Sequence, residues 1–261
     1  MAKISIIIPA YNEEKRIAKT LDSYIKYFSK KYNKNFNIFV ILNGCKDNTL
    51  SVVKKYKKNY NSIIYYKDIK DSIGKGGAVI EGFKLAENDI IGFVDADNST
   101  DPEAFNDLVL ELEKKHADCV IASRYIKGAV VKPKQNPQRI IGSRGFNLLV
   151  RILFNINVHD TQCGAKVFKK KPLKEILPYL GLTRWAFDVD LLYQLKRKKR
   201  IILEIPTRWH DEKGSNFRLG KQIPEMFLAI ARLRLMYSPL KFIIKFYDKL
   251  PESVKIHHRL R

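Results

Sequence analysis

The chain has 261 residues, enough for one large domain or two small ones with a packed core. Its 49 Lys and Arg against 27 Asp and Glu leave a net charge of +22, while 45% of residues are hydrophobic. That apolar share excludes a disordered chain, and 13 Gly with 10 Pro exclude a collagen-like or linker-dominated one.

In chain order, residues 3–8 read as a buried strand stopped at Pro9. Residues 13–32 follow as a helix, with Ile17, Leu21, Tyr24, Ile25 and Phe28 at helical spacing. Strands at 36–42, 62–66, 89–94 and 118–122 alternate with helices at 49–60, 76–86 and from about residue 100. There Thr100-Asp101-Pro102-Glu103 has the spacing of a capping box with proline in the first turn. Such alternation predicts a mostly parallel α/β sheet flanked by helices, with right-handed crossovers.

The second half differs. Residues 140–158 are strongly apolar but carry Arg144 and Arg151, which suits a core or interfacial helix better than a membrane span. Helices are expected at 186–199 and 223–236, with a strand at 201–205. After Pro239, Lys241, Lys245 and Lys249 recur every fourth residue among aromatic and aliphatic ones. That pattern fits an amphipathic helix lying in a membrane interface, or equally one packing its aromatic side on the domain. The expected division is 1–220 as one domain, with halves 1–125 and 126–220, then a C-terminal amphipathic segment 221–261.

The excess positive charge suits anionic partners: nucleic acid, an anionic membrane surface or phosphorylated substrates. Neither a stacking strip of aromatics nor a helix-turn-helix or RNA-binding signature is present, so no nucleic-acid partner is expected. Cys45, Cys119 and Cys163 are scattered without metal-ligand or disulfide spacing, which suits a reducing compartment. The apolar run before Pro9 is too short for a signal peptide.

Polar clusters fall at the carboxyl ends of the predicted strands, where ligands bind in such sheets. Asp95-Ala96-Asp97 places two carboxylates at a strand end, suited to a hard divalent cation that substrate phosphates also ligate. Gly74-Lys75-Gly76-Gly77 opens a helix with backbone N–H groups and a cation facing an anion, without Walker or dinucleotide spacing.

Four motifs occur in order: Pro9-Ala10-Tyr11-Asn12-Glu13, then Asn43-Gly44-Cys45-Lys46-Asp47, then Lys75-Gly76, then Asp95-Ala96-Asp97. Over about the first 220 residues the chain resembles the family-2 inverting glycosyltransferases of the GT-A fold. Ile121-Ala122-Ser123-Arg124, Asp160-Thr161-Gln162-Cys163-Gly164-Ala165-Lys166 and Phe187-Asp188-Val189-Asp190 are similar to the dolichyl-phosphate sugar synthases. The β-glucosyltransferase branch is nearer than the mannose synthases.

The resemblance implies a metal-dependent transfer of a hexose from a nucleotide sugar to dolichyl or polyprenyl phosphate. UDP-glucose or UDP-N-acetylglucosamine is the favoured donor; GDP-mannose, or a saccharide hydroxyl as acceptor, is the alternative. It implies a nucleotide-sugar pocket of Pro9, Tyr11, Asn12, Glu13, Asn43, Asp47, Lys75 and Asp95. Asp95, Asp97 and Ser99 would hold Mg²⁺ or Mn²⁺, and Asp97 and Asp188 would be the catalytic residues, Asp188 near the donor sugar. Asp190, two positions on, points elsewhere and would only cap or meet solvent. Arg124, Arg139, Ser143 and Arg218 would hold the acceptor phosphate, Arg124 and Arg139 being read as ligands rather than ion-pair partners. A peripheral position on the cytoplasmic face of the cell membrane follows from the lipid acceptor.

Two segments depart from the family pattern. Leu42-Asn43-Gly44-Cys45 stands where relatives often carry Asp-Asp-Gly-Ser, removing a carboxylate that could accept from a base N–H. Gly214-Ser215-Asn216-Phe217-Arg218 only partly matches a Gly-Ser-Lys closing loop, with Arg218 in place of the lysine.

Overall fold

Short Ile- and Val-rich runs and the amphipathic stretches between them fold as alternating strands and helices in a computed structural model. It describes residues 2–133, 136–181, 186–210 and 219–242, with side chains from residue 225 in the last stretch. The first half contains β1 (Ile4–Ala10), α1 (Ile17–Tyr32), β2 (Phe36–Asn43), α2 (Thr49–Asn59), β3 (Ile64–Ile69), α3 (Gly74–Leu85), β4 (Ile90–Phe93), α4 (Pro102–Lys114) and β5 (Cys119–Ser123). The second contains β6 (Val130–Lys132), α5 (Pro137–Phe154), β7 (Lys166–Lys169), α6 (Lys170–Ile176), α7 (Phe187–Arg197), β8 (Ile202–Pro206), β9 (Arg208–His210) and α8 (Leu219–Met236).

Seven strands form one sheet in the order β3-β2-β1-β4-β7-β5-β8. All neighbours are parallel except β7, which runs antiparallel to both β4 and β5. β6 and β9 make a separate parallel pair. The pleat sorts side chains to two faces. Ile4, Ile6 and Ile8 of β1 join Leu21, Tyr24 and Phe28 of α1 and Phe105, Leu108 and Leu112 of α4 in one core. Ile7 joins Val79 and Phe83 of α3, Phe146 and Val150 of α5, Leu191 and Leu195 of α7, and Ile230 and Leu233 of α8 in the other. The two cores therefore lie on opposite faces of the sheet and do not follow a division of the chain into halves.

Three local expectations are corrected. The cap of α4 is Asp101, whose Oδ1 accepts the N–H of Ala104 at 2.7 Å, with Pro102 in the first turn. Thr100 lies one residue before the cap position, its backbone in a bridge to Trp209 and its buried hydroxyl without a hydrogen-bond partner among the described residues. The strand and helix at β7 and α6 were not expected, since Lys166 and Lys169 interrupt the apolar pattern of β7. Asp190 is wholly buried: it accepts from Tyr237 Oη at 2.7 Å and from the Gly181 N–H at 2.9 Å, fastening α7 to the end of α8. Burial raises its pKa, against the pull of the Tyr237 and Gly181 hydrogen bonds.

β1 pairs with β2 on one side and β4 on the other, and the helices after β1 and β2 lie opposite α3. The strand order reverses at this point, opening a crevice beyond the carboxyl ends of β1 and β4.

Candidate active site

The loops leaving β1, β2 and β4 tie one another in place. Asp47 Oδ1 accepts from the Thr49 N–H (3.0 Å) and hydroxyl (2.5 Å), and Oδ2 accepts from the Glu14 N–H at 3.1 Å. Although burial opposes them, these hydrogen bonds hold the Asp47 pKa below the usual carboxylate range. Thr49 Oγ1 in turn accepts the N–H of Glu13. Asn12, at φ 56°, accepts the Lys46 N–H, and Asn43 Oδ1 accepts the Ile73 N–H at the start of α3. Asn12, Asn43 and Asp47 thus brace the pocket, while Pro9 and half-exposed Tyr11 stand at the end of β1.

Charged groups converge where β4 ends. Lys75 Nζ, on the first turn of α3, lies 2.5 Å from Asp95 Oδ1 and 5.8 Å from the Phe93 ring centroid. Its surroundings depress its pKa by desolvation, but the charge of Asp95, then that of Asp188, raises it on balance. The Asp95 pKa is raised by burial and by Asp97 and Asp188, against the opposite pull of Lys75. Arg16 forks Glu13 through two bonds of 2.6 Å and lies 4.0 Å from Asp97 Oδ2. Burial lifts the Glu13 carboxyl pKa despite Arg16, with Asp97 and Asp95 adding to the rise.

Asp97 Oδ1 accepts the Ser99 N–H at 3.0 Å. The Ser99 hydroxyl is buried and has no hydrogen-bond partner among the described residues. Among the described residues no group of three or more His, Cys, Asp or Glu is gathered to hold a metal. Two carboxylates and an orphaned hydroxyl nevertheless supply the hard oxygen donors that Mg²⁺ or Mn²⁺ takes beside substrate phosphates, so the donor chemistry fits.

A second cluster lies around β5 and α5. Asp160, wholly buried, accepts from the Arg124 N–H and from Nε and NH2 of its guanidinium at 2.8 and 2.9 Å. Asp160 engages two side-chain nitrogens of Arg124 in a buried pair, the Arg124 side chain being 8% exposed. Thr161 donates through N–H and hydroxyl to Asn147 Oδ1, and Asn147 Nδ2 donates to the carbonyl of Ser143, one turn earlier on α5. Arg139 is half-buried a turn before Ser143. Arg218 lies outside the described residues.

Residues 160–166 join the two clusters. Asp160 holds Arg124 and Thr161 holds α5, while three residues later Gly164 abuts Asp95, where a Cβ would overlap Oδ2. Lys166 then reaches Asp188 Oδ1 at 2.5 Å. The sequence assigns no role to Lys166 or Arg16; Lys166 opens β7, a short strand with a lysine at each end. Gly164→Ala is expected to leave the melting temperature nearly unchanged, because the obstructed atom is a movable carboxylate. Displacing Asp95 should weaken nucleotide-sugar affinity about tenfold, measurable by calorimetry.

The chain matches the family described as Glycosyl transferase family 2 over residues 5–177. A dolichyl-phosphate beta-glucosyltransferase of Dictyostelium discoideum is 33% identical over 243 residues, covering 90% of this chain and 74% of that protein. One of the same description from Saccharomyces cerevisiae is 32% identical over 249 residues, covering 90% and 75%. The solved structure of glucosyl-3-phosphoglycerate synthase from Mycobacterium tuberculosis, in complex with Mn²⁺, UDP and phosphoglyceric acid, superposes with a TM-score of 0.62 at 17% identity. That match covers 89% of this chain and 78% of the other. The GT-A type of fold implied by the sequence motifs is the fold observed.

Proposed function

The chain belongs to glycosyl transferase family 2, and on that footing we propose that this glycosyltransferase moves glucose from UDP-glucose to a dolichol-type polyprenyl phosphate. The acceptor class is taken from the relatives described as dolichyl-phosphate beta-glucosyltransferases. The observation that carries the reading is segment 160–166, which bonds to Arg124 and α5 at one end and at the other packs Gly164 against Asp95 and bonds to Asp188. Two anionic reactants can meet only if their binding groups border one cleft, and this segment spans both sets.

In the proposed reaction a phosphate oxygen of the lipid attacks the anomeric carbon. The new C–O bond forms as the bond to the nucleoside diphosphate breaks, and the departing pair of electrons leaves on the β-phosphate oxygen, so configuration inverts. A phosphate monoester has its second pKa at about 6, so at neutral pH it attacks without a general base. Catalysis then rests on orientation and on stabilising charge at the leaving group. Lys75 and Arg16 would bring positive charge to the donor side, and Asp188 would accept from a sugar hydroxyl. Asp97, with Asp95 and Ser99, would hold a divalent cation, which when bound offsets the charge of the departing diphosphate. Arg139 and Ser143 would meet the acceptor phosphate, with Arg124 shaping that wall through Asp160.

A membrane surface suits this acceptor. Ile141, Leu148 and Ile152 stand exposed along α5 at spacings of seven and four, beside exposed Arg144, and Leu240 and Phe242 are exposed after α8. Apolar residues flanked by cations dock in an anionic interface. No described helix is long and apolar enough to cross a membrane.

The test is to incubate the protein with radiolabelled UDP-glucose, Mg²⁺ and polyprenyl phosphate, then extract into organic solvent. Label in the organic phase supports the reading; label only in free glucose or in an added oligosaccharide overturns it. Arg139→Ala is expected to raise KM for polyprenyl phosphate about tenfold or more, as loss of a charge-assisted bond to phosphate does, while KM for UDP-glucose stays within twofold. Unchanged acceptor dependence would put the phosphate elsewhere.

A further inference from the structure

Lys166 takes no part in the mechanism above, yet its side chain is wholly buried in β7, between β4 and β5 near the middle of the sheet. An ammonium in such a place is unfavourable unless its hydrogen bonds and charge are met. It donates to the carbonyl of Cys163 at 2.8 Å and to Asp188 Oδ1 at 2.5 Å, and lies 5.2 Å from the Phe93 ring centroid. Lys75 lies 5.8 Å from the same ring and holds Asp95, so two Lys–Asp pairs adjoin one phenyl ring at the end of β4.

Asp188 sits on the first turn of α7, and this turn is also seated against the donor side: a Cβ at Gly76 would collide with Phe187. Lys166 fixes Oδ1, while Oδ2 has no hydrogen bond among the described residues. The Asp188 charge is felt by both Lys75 and Asp95, which places it at the donor pocket. A purely packing role at position 166 would be met at lower cost by an apolar side chain.

We propose that Lys166 is a positioning residue of the donor pocket: its ammonium clamps Oδ1 of Asp188 so that Oδ2 is presented to a hydroxyl of the bound hexose. The proposal rests on the donor-pocket reading given above and acts through Asp188, not through contact with substrate.

The experiment is a double-mutant cycle with Lys166→Met, Asp188→Asn and the pair, scored by kcat and by KM for each substrate. Each single variant is expected to lose about tenfold or more in kcat, with KM for the lipid acceptor unchanged, and the double variant to match Asp188→Asn within twofold. Lys166→Gln, which still donates a hydrogen bond to Oδ1, is expected to recover part of the Met variant's loss. A merely structural lysine would instead lower kcat by the same factor in both backgrounds, or lower the folded fraction alone, and either result overturns the proposal. If Lys166→Met does not fold, Lys166→Gln takes its place in the cycle, and its smaller loss in kcat is expected to vanish in the Asp188→Asn background; an equal loss in both backgrounds overturns the proposal. If the parent protein passes no sugar to polyprenyl phosphate, the acceptor reading fails, and the same cycle is run on slow hydrolysis of UDP-glucose.

Discussion

Asp97→Ala is expected to fold normally and to lose sugar transfer by about a thousandfold. The two halves of that expectation have separate grounds. Asp97 lies on a loop with its side chain 28% exposed, and among the described residues its polar contacts are one hydrogen bond from the Ser99 N–H and Arg16 at 4.0 Å. Losing one such bond costs about 0.5–1.5 kcal/mol, too little to unfold a domain with two packed cores. Function is different, because Asp97 is the carboxylate in this pocket least committed to other side chains. Asp95 is clamped by Lys75, Glu13 is forked by Arg16 and Asp188 is held by Lys166. A cation arriving with the donor diphosphate would therefore find its strongest ligand in Asp97. Two measurements check this: organic-extractable label for transfer, and calorimetric UDP binding with and without Mn²⁺. The parent should bind UDP more tightly when Mn²⁺ is present, and the Asp97→Ala protein should show no such gain. Transfer within threefold of the parent would remove Asp97 from the site.

The gathering of polar groups at one sheet edge was legible in the sequence because it is local. A strand, a turn and a helix repeat four times, and each polar cluster falls where its strand must end, so Tyr11, Asp47, Lys75 and Asp95 share an edge by topology alone. What escaped was set by partners far along the chain. Strand β7 carries lysines at both ends, and nothing near position 166 announces that Asp188, 22 residues later, will neutralise one of them inside the sheet. Asp190 looked like a surface carboxylate because its partner, Tyr237, is 47 residues away. Thr100 had the spacing of a cap, yet its backbone bridges to Trp209 and the next residue, Asp101, caps α4. Nothing near Arg124 announces that Asp160, 36 residues on, will engage its guanidinium. Periodicity records which face of an element is apolar; it does not record which buried charge will find which counter-charge.

That last pair carries the other large effect, on stability. Asp160→Ala is expected to destabilise the fold by roughly 3–5 kcal/mol, because it leaves one partner of a buried ion pair without the other. The Arg124 guanidinium cannot escape by losing its proton. It is enclosed by the rings of Trp209 and Tyr125, at 5.1 and 5.3 Å, and its pKa is raised well above the usual arginine value: burial opposes the charged form, but Asp160 outweighs it. The Asp160 carboxylate also accepts the Arg124 N–H, so the change removes the acceptor of a backbone donor as well as the counter-charge, while the Asp160 backbone N–H keeps its bond to Glu204. For a domain of this size the loss corresponds to a melting temperature lower by roughly 10 °C. Replacing both partners by apolar residues, Arg124→Met with Asp160→Leu, should recover much of the loss, since no lone charge then remains. Urea unfolding followed by tryptophan fluorescence measures all the variants on one scale. A double variant as unstable as Asp160→Ala would mean that the backbone hydrogen bonds, not the charge pair, hold this corner together. An Asp160→Ala protein that melts within 1 °C of the parent would mean that the pair contributes nothing to the fold.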